Sequence, residues 1–290
     1  MEVNLVYVPQ MKEVADFFRE SPHYKGENIL SLEAFADLEN TARTMIIGRN
    51  GRHHHDDLDH IRLAKQKRIV PSSDLTSLVL MDRHPDYNYD RTPIKEREYD
   101  YLNEGCWVSR GVLLNLYSNV IMVGVDTGEV GIQREYLKDN FCQPTEIMKW
   151  LDEVEVYPNG TGIVEDKYYP ESESLLKRNP SVIDYRIIDG KYIEIRFRTV
   201  DDVDYSSAKD GIVVSTDLDV LNESEMVVDY WQGGLTTDKL INLIHGLPRK
   251  IALSIVSGFT EHKQKRTEHS MMNMSRILAA YSMVLSQSPS

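Results

Sequence analysis

The 290-residue chain is poor in cysteine, in tryptophan and in positive charge. Its two cysteines, Cys106 and Cys142, are too few for a disulfide framework, and a reducing compartment is the expected setting. No apolar run approaches the roughly 20 residues of a membrane-spanning helix. The start, Met1-Glu2-Val3-Asn4-Leu5-Val6-Tyr7, lacks the basic and apolar regions of a signal peptide, so a cytoplasmic protein is expected. Lys and Arg total 33 against 46 Asp and Glu, a net charge of −13. That balance argues against a nucleic-acid or anionic-membrane partner and suits a cationic substrate. What the chain does have is 41% hydrophobic residues, enough for a sizeable core.

Those apolar residues fall into short runs at 3–8, 44–48, 77–81, 119–125, 211–217 and 251–256. Each is too short for a typical helix and rich in strand formers. Segments of helical spacing lie between them, at 10–20, 31–41, up to about 68, 106–117, 236–245 and 267–285, with Ser31 and Thr236 placed to cap two of them. The alternation argues for crossover connections and a three-layer α-β-α fold around a mainly parallel sheet. To residue 81 the order reads β-α-α-β-loop-α-β. Met271, Met272, Met274 and Met283 of the last helix are expected to be adaptable core. Residues 153–204 hold turn pairs such as Asn179-Pro180 and Asp189-Gly190, and read as an insertion or hairpin region within a single domain spanning 1–290.

The chemistry collects where these strands end. Asp82, His84 and Asp86 follow the run 77–81, and Asp217 and Asp219 close the run 211–217. Asp126 and Glu129 follow 119–125, and the histidines His53, His54 and His55 follow 44–48. In an open α/β sheet, ligands and catalytic groups gather outside the C-terminal strand ends. Carboxylates with imidazole suit Mn²⁺, Zn²⁺ or Fe²⁺, whereas Ca²⁺ takes oxygen alone. Two such ions could share a bridging carboxylate and hold a water of lowered pKa. The plainer alternative is a set of solvated acidic turns.

Asp82-Arg83-His84-Pro85-Asp86 resembles the Asp-x-His-x-Asp motif of the arginase/ureohydrolase superfamily, and Ser215-Thr216-Asp217-Leu218-Asp219 its Ser-x-Asp-x-Asp motif. Gly233-Gly234-Leu235-Thr236, Glu261 and Val125-Asp126-Thr127-Gly128-Glu129 also resemble family segments, so the likeness covers roughly residues 44–262. It implies an arginase/deacetylase-like fold and two Mn²⁺ ions held by His54 or His55 with Asp82, His84, Asp86, Asp217 and Asp219. It further implies that Glu261 anchors a guanidinium and that Asn88 and Asp126 contact the rest of the substrate. The family's histidine segment Gly-Gly-Asp-His-Ser reads Gly48-Arg49-Asn50-Gly51-Arg52 before the histidine run, and His60 is the alternative first ligand. Residues 87–118 hold no histidine to shuttle protons, which leaves Glu104 as the candidate beside His84 and Glu261. The tyrosine-rich segment 87–104 makes the chain look like the divergent peptide arginases, which turn arginine in a precursor peptide into ornithine and urea. Free guanidino compounds, other amidine or amide hydrolysis of agmatinase, formiminoglutamase or deacetylase type, and an inactive metal-binding interaction protein stay open, as does the oligomeric state.

Overall fold

The computed structural model describes residues 2–39, 42–49, 53–84, 86, 107–125, 181–188, 191–198, 200, 203–229 and 232–287, with backbone alone at 53–55, 109, 113, 181–188 and 191–198. Among the described residues nine strands form one sheet: β1 (Val3–Tyr7), β2 (Asn28–Ser31), β3 (Arg43–Ile47), β4 (Thr76–Met81), β5 (Asn119–Val123), β6 (Ser181–Ile188), β7 (Lys191–Arg198), β8 (Gly211–Asp217) and β9 (Ile251–Ser257). Their order is β2-β1-β3-β9-β8-β4-β5-β7-β6. Every neighbouring pair is parallel except β6 with β7. The α-helices among the described residues are α1 (Lys12–Glu20), α2 (Leu32–Asp37), α3 (His53–Gln66), α4 (Trp107–Leu113), α5 (Thr237–His245) and α6 (Glu268–Gln287).

The three layers follow from a period of two along each buried strand. Met45, Ile47, Val79, Met81, Ile121 and Val123 pack with Phe18 of α1, Leu240 and Ile244 of α5, and Ile277 and Leu278 of α6. The intervening Ile46, Leu78, Leu80, Val120 and Met122 pack on the other face with Phe35 of α2, Leu58 and Ile61 of α3, and Trp107 and Val112 of α4. Such strands, covered on both faces, read as continuous apolar runs. Ser31 Oγ accepts the Ala34 N–H at 3.2 Å and Thr236 Oγ1 the Lys239 N–H at 3.2 Å, so both caps stand where the sequence places them.

Four expectations change. β2 is an extra strand before α2, so the order to residue 81 is β-α-β-α-β-α-β; only four residues long and half-buried throughout, it carries no continuous apolar run. The histidine run is the first turn of α3 and not a loop before it. Within 153–204, the strands at 181–198 are no appendage: β7 pairs in parallel with β5 and extends the main sheet, while 153–180 lies outside the described residues. The methionine face is also only partly core. Met271 and Met274 are buried, whereas Met283 is 51% exposed. Among the described residues no helix is long and apolar enough to cross a membrane.

Candidate metal centre

Because β3, β9, β8, β4 and β5 are parallel neighbours, their C-terminal ends share one edge of the sheet. Met81 pairs with Thr216, and one residue further the register sets Asp82 beside Asp217. Both strands then end in the same kind of turn. Asp82 Oδ1 accepts the His84 N–H at 2.6 Å, and Asp217 Oδ1 accepts the Asp219 N–H at 3.0 Å. An aspartate side chain bonding the backbone two residues on is a compact turn device, and here it folds each Asp-x-His or Asp-x-Asp arm back on itself. The arms also touch. His84 Nδ1 lies 2.9 Å from Asp219 Oδ2 and 3.6 Å from Asp82 Oδ1, and the Arg83 N–H reaches Asp219 Oδ1 at 3.4 Å. Arg83 Nη1 donates to Gln232 O at 3.0 Å and holds the β4 arm to the following loop. Gly258, at φ +83°, leaves the room that Asp217 needs, because a Cβ there would collide with the Asp217 carboxylate.

The electrostatics are those of a dry, overcrowded acid site. Burial, then the charges of Asp219 and Asp86, push the Asp82 carboxyl well above the usual range. Burial and then Asp217 raise Asp219 as well. Burial works to lower the His84 imidazole, but its interactions with Asp219 and Asp82 outweigh that and push it up to about 11. A divalent cation fits this donor set. One ligand atom each from Asp82, His84 and Asp219 all lie within 4.8 Å of one another. Asp82 Oδ2 is buried with no hydrogen-bond partner among the described residues, which is costly for a carboxylate unless something binds it.

Of the other expected site residues, Asp217 and Asp86 are not in this group; both are buried, 4% and 3% exposed, and after burial and Asp219 their charges add to the rise of Asp82. Glu261 stands beyond the end of β9 and is exposed; the Arg49 guanidinium, raised chiefly by its hydrogen bond to Asp56, also feels the Glu261 charge. His60 is not in the group: it is buried within α3, and burial pushes it down to about 4. Glu104, Asn88 and Asp126, and the side chains of His54 and His55, lie outside the described residues. Two residues were missed. Trp107 donates its indole N–H to Asp86 Oδ2 at 2.9 Å. Asp57, fully buried in α3, accepts the Ser215 hydroxyl at 2.8 Å and ties the helix that begins with the histidine run to β8. In the sequence the one pointer to this pair is Ser215, two places before Asp217; Asp57 lies in a polar run of histidines and aspartates.

Fold and site together define a three-layer α/β protein with a candidate metal centre at the C-terminal edge of its sheet. No family model and no curated protein matches the chain. Among solved structures it is similar to the formimidoylglutamase from Bacillus subtilis subsp. subtilis str. 168, with a TM-score of 0.55 and 13% identity over 100% of this chain and 89% of that one. It is likewise similar to the agmatine ureohydrolase of Thermoplasma volcanium (TM-score 0.54, 12% identity, 99% and 90% covered). The T. brucei arginase-like protein in a reduced form gives a TM-score of 0.52 at 16% identity, with 97% and 90% covered. At such identities the likeness establishes the fold.

Proposed function

We propose that the chain is a metal-dependent hydrolase of the arginase type, acting on the guanidinium of an arginine held within a peptide and releasing urea to leave ornithine. The observation that carries this reading is the junction of Asp82, His84 and Asp219 across β4 and β8, with a buried carboxylate oxygen left without a hydrogen bond. The residues that would hold two Mn²⁺ ions are Asp82, His84 and Asp219 with Asp86, Asp217 and a histidine of the run 53–55; when bound, the ions supply Lewis-acid activation of a water.

The chain's own groups do the rest. Asp82 and Asp217 fix their turns through backbone N–H groups, so the imidazole and carboxylates are preset before substrate arrives. Water adds across the guanidinium carbon, the C–N bond to the side-chain nitrogen breaks, and that nitrogen leaves as the ornithine ammonium. Glu261 anchors the cationic guanidinium, whose planar fork matches a carboxylate. Its exposure suits a side chain delivered on a larger substrate, and the net charge of −13 favours a cationic one.

Mass spectrometry of arginine-containing peptides incubated with the protein and Mn²⁺ tests this, read as the mass loss of arginine becoming ornithine and compared with Asp217→Asn. Conversion of peptides that Asp217→Asn abolishes is the expected result. Conversion of free arginine but never of peptides would overturn the peptide substrate. The fold likeness to a formimidoylglutamase and an agmatine ureohydrolase makes free small amidines the second reading, and formiminoglutamate and agmatine belong in the same assay.

A further inference from the structure

Asp86 is gripped from two sides by the start of α4. Its Oδ2 accepts the Trp107 indole N–H at 2.9 Å, and its backbone carbonyl accepts the Val108 N–H at 3.0 Å. Asp86 sits at φ +46°, a left-handed conformation uncommon for any residue but glycine and held only where the surroundings enforce it. Trp107 is 1% exposed and belongs, with Leu80, Val108 and Met122, to the apolar cluster on one face of the sheet. A buried indole N–H needs an acceptor. The one it takes is a carboxylate twenty-one positions earlier, at the rim of the acid cluster. A hydrogen bond to a charged oxygen is short and directional and locks the rotamer of the group that accepts it.

We propose that Trp107 is a positioning residue of the metal centre, its indole N–H fixing the Asp86 carboxylate so that Asp86 serves beside Asp82 as a ligand to a divalent ion. This rests on the metal-dependent reading above and assigns a role to a residue outside both acidic motifs. Groups that orient a metal's ligands in this way typically change metal affinity by about 10- to 100-fold when removed.

Calorimetric titration with MnCl2 tests it on the wild type, Trp107→Phe, Asp86→Asn and the double variant. Phe keeps the apolar packing and drops the donor. We expect Trp107→Phe to weaken Mn²⁺ binding about 10- to 100-fold, and the same exchange to matter by no more than about twofold once Asp86 is Asn. Equal losses in both backgrounds would show that Trp107 only supports the fold, and an unchanged affinity in Trp107→Phe would overturn the role outright. If the wild type binds no divalent ion, the metal reading itself fails and the role with it. A second measurement covers the case in which Trp107→Phe does not fold. In a Trp150→Phe/Trp231→Phe protein, whose remaining indole is Trp107, added Mn²⁺ should quench the emission; undiminished emission at saturating Mn²⁺ would overturn the proposal.

Discussion

Two histidines, His84 half-buried and His60 buried, are pushed in opposite directions. His84, between Asp82 and Asp219 at the sheet edge, is raised to about 11. His60, inside α3, is lowered to about 4. Burial opposes the charged form in both. At His84 it is outweighed by two carboxylates, one of them 2.9 Å away. At His60 it prevails: Asp56 and Asp59 pull the other way, Arg49 pushes it lower still, and Nδ1 has no hydrogen-bond partner among the described residues. Neighbours, more than depth, decide which imidazole carries charge. The charged one stands where a cation would displace its proton; the neutral one belongs to the core of α3.

Removing the neighbour is the strongest way to break the contrast. Asp219→Asn takes away the closest acceptor of His84, so the imidazole pKa should fall from about 11, followed by NMR of the ring, and Mn²⁺ affinity should drop by roughly a hundredfold or more. His60 gives the next effect. Its folded pKa of about 4 lies below its ordinary 6.5, so between these values the unfolded chain takes up a proton that the folded chain refuses. The associated stability is therefore full above pH 6.5 and is lost as pH falls towards 4, a total of roughly 3 kcal/mol. His60→Leu should remove that difference, read as denaturant midpoints for variant and wild type across the window. Third, Mn²⁺ at a hundred times its Kd should add about 2.7 kcal/mol and raise the melting temperature by roughly 5 °C. His60→Leu should keep this gain and Asp219→Asn lose it. The smallest change sharpens the picture: Arg49→Gln removes the cation that helps lower His60, so the His60 pKa should drift upward without reaching its ordinary value.

How much of this was legible in the sequence depends on how local each cause is. β4, β5, β8 and β9 are covered on both faces, so each announces itself as an unbroken apolar run. Asp82 and Asp217 could be picked out because they end such runs. β2 could not, since half-buried Asn28–Ser31 has no such signal. Residues 192–197 alternate visibly as a strand, but their pairing with β5 is a long-range fact that alternation does not encode. The grip of Trp107 on Asp86 and of Asp57 on Ser215 joins residues 21 and 158 apart. Asp57 was the more misleading, since a run of histidines and aspartates looks solvated until the helix turns one of them into the core. The convergence of Asp82 with His84, and of Asp217 with Asp219, comes from turns set by the aspartates themselves, which the spacing hints at without determining.

The most direct measurement is calorimetric titration of the protein with MnCl2 in buffers of differing ionisation enthalpy, from about pH 6 to 8. A charged His84 must lose its proton to become a ligand, so binding should release protons and the apparent affinity should rise with pH, by up to about tenfold per unit for each proton displaced. Asp219→Asn should weaken both, with Asp82 left as the one carboxylate beside His84. No Mn²⁺ binding, or binding without proton release and equally tight at both ends of that range, would contradict a metal centre built on His84 and its two carboxylates.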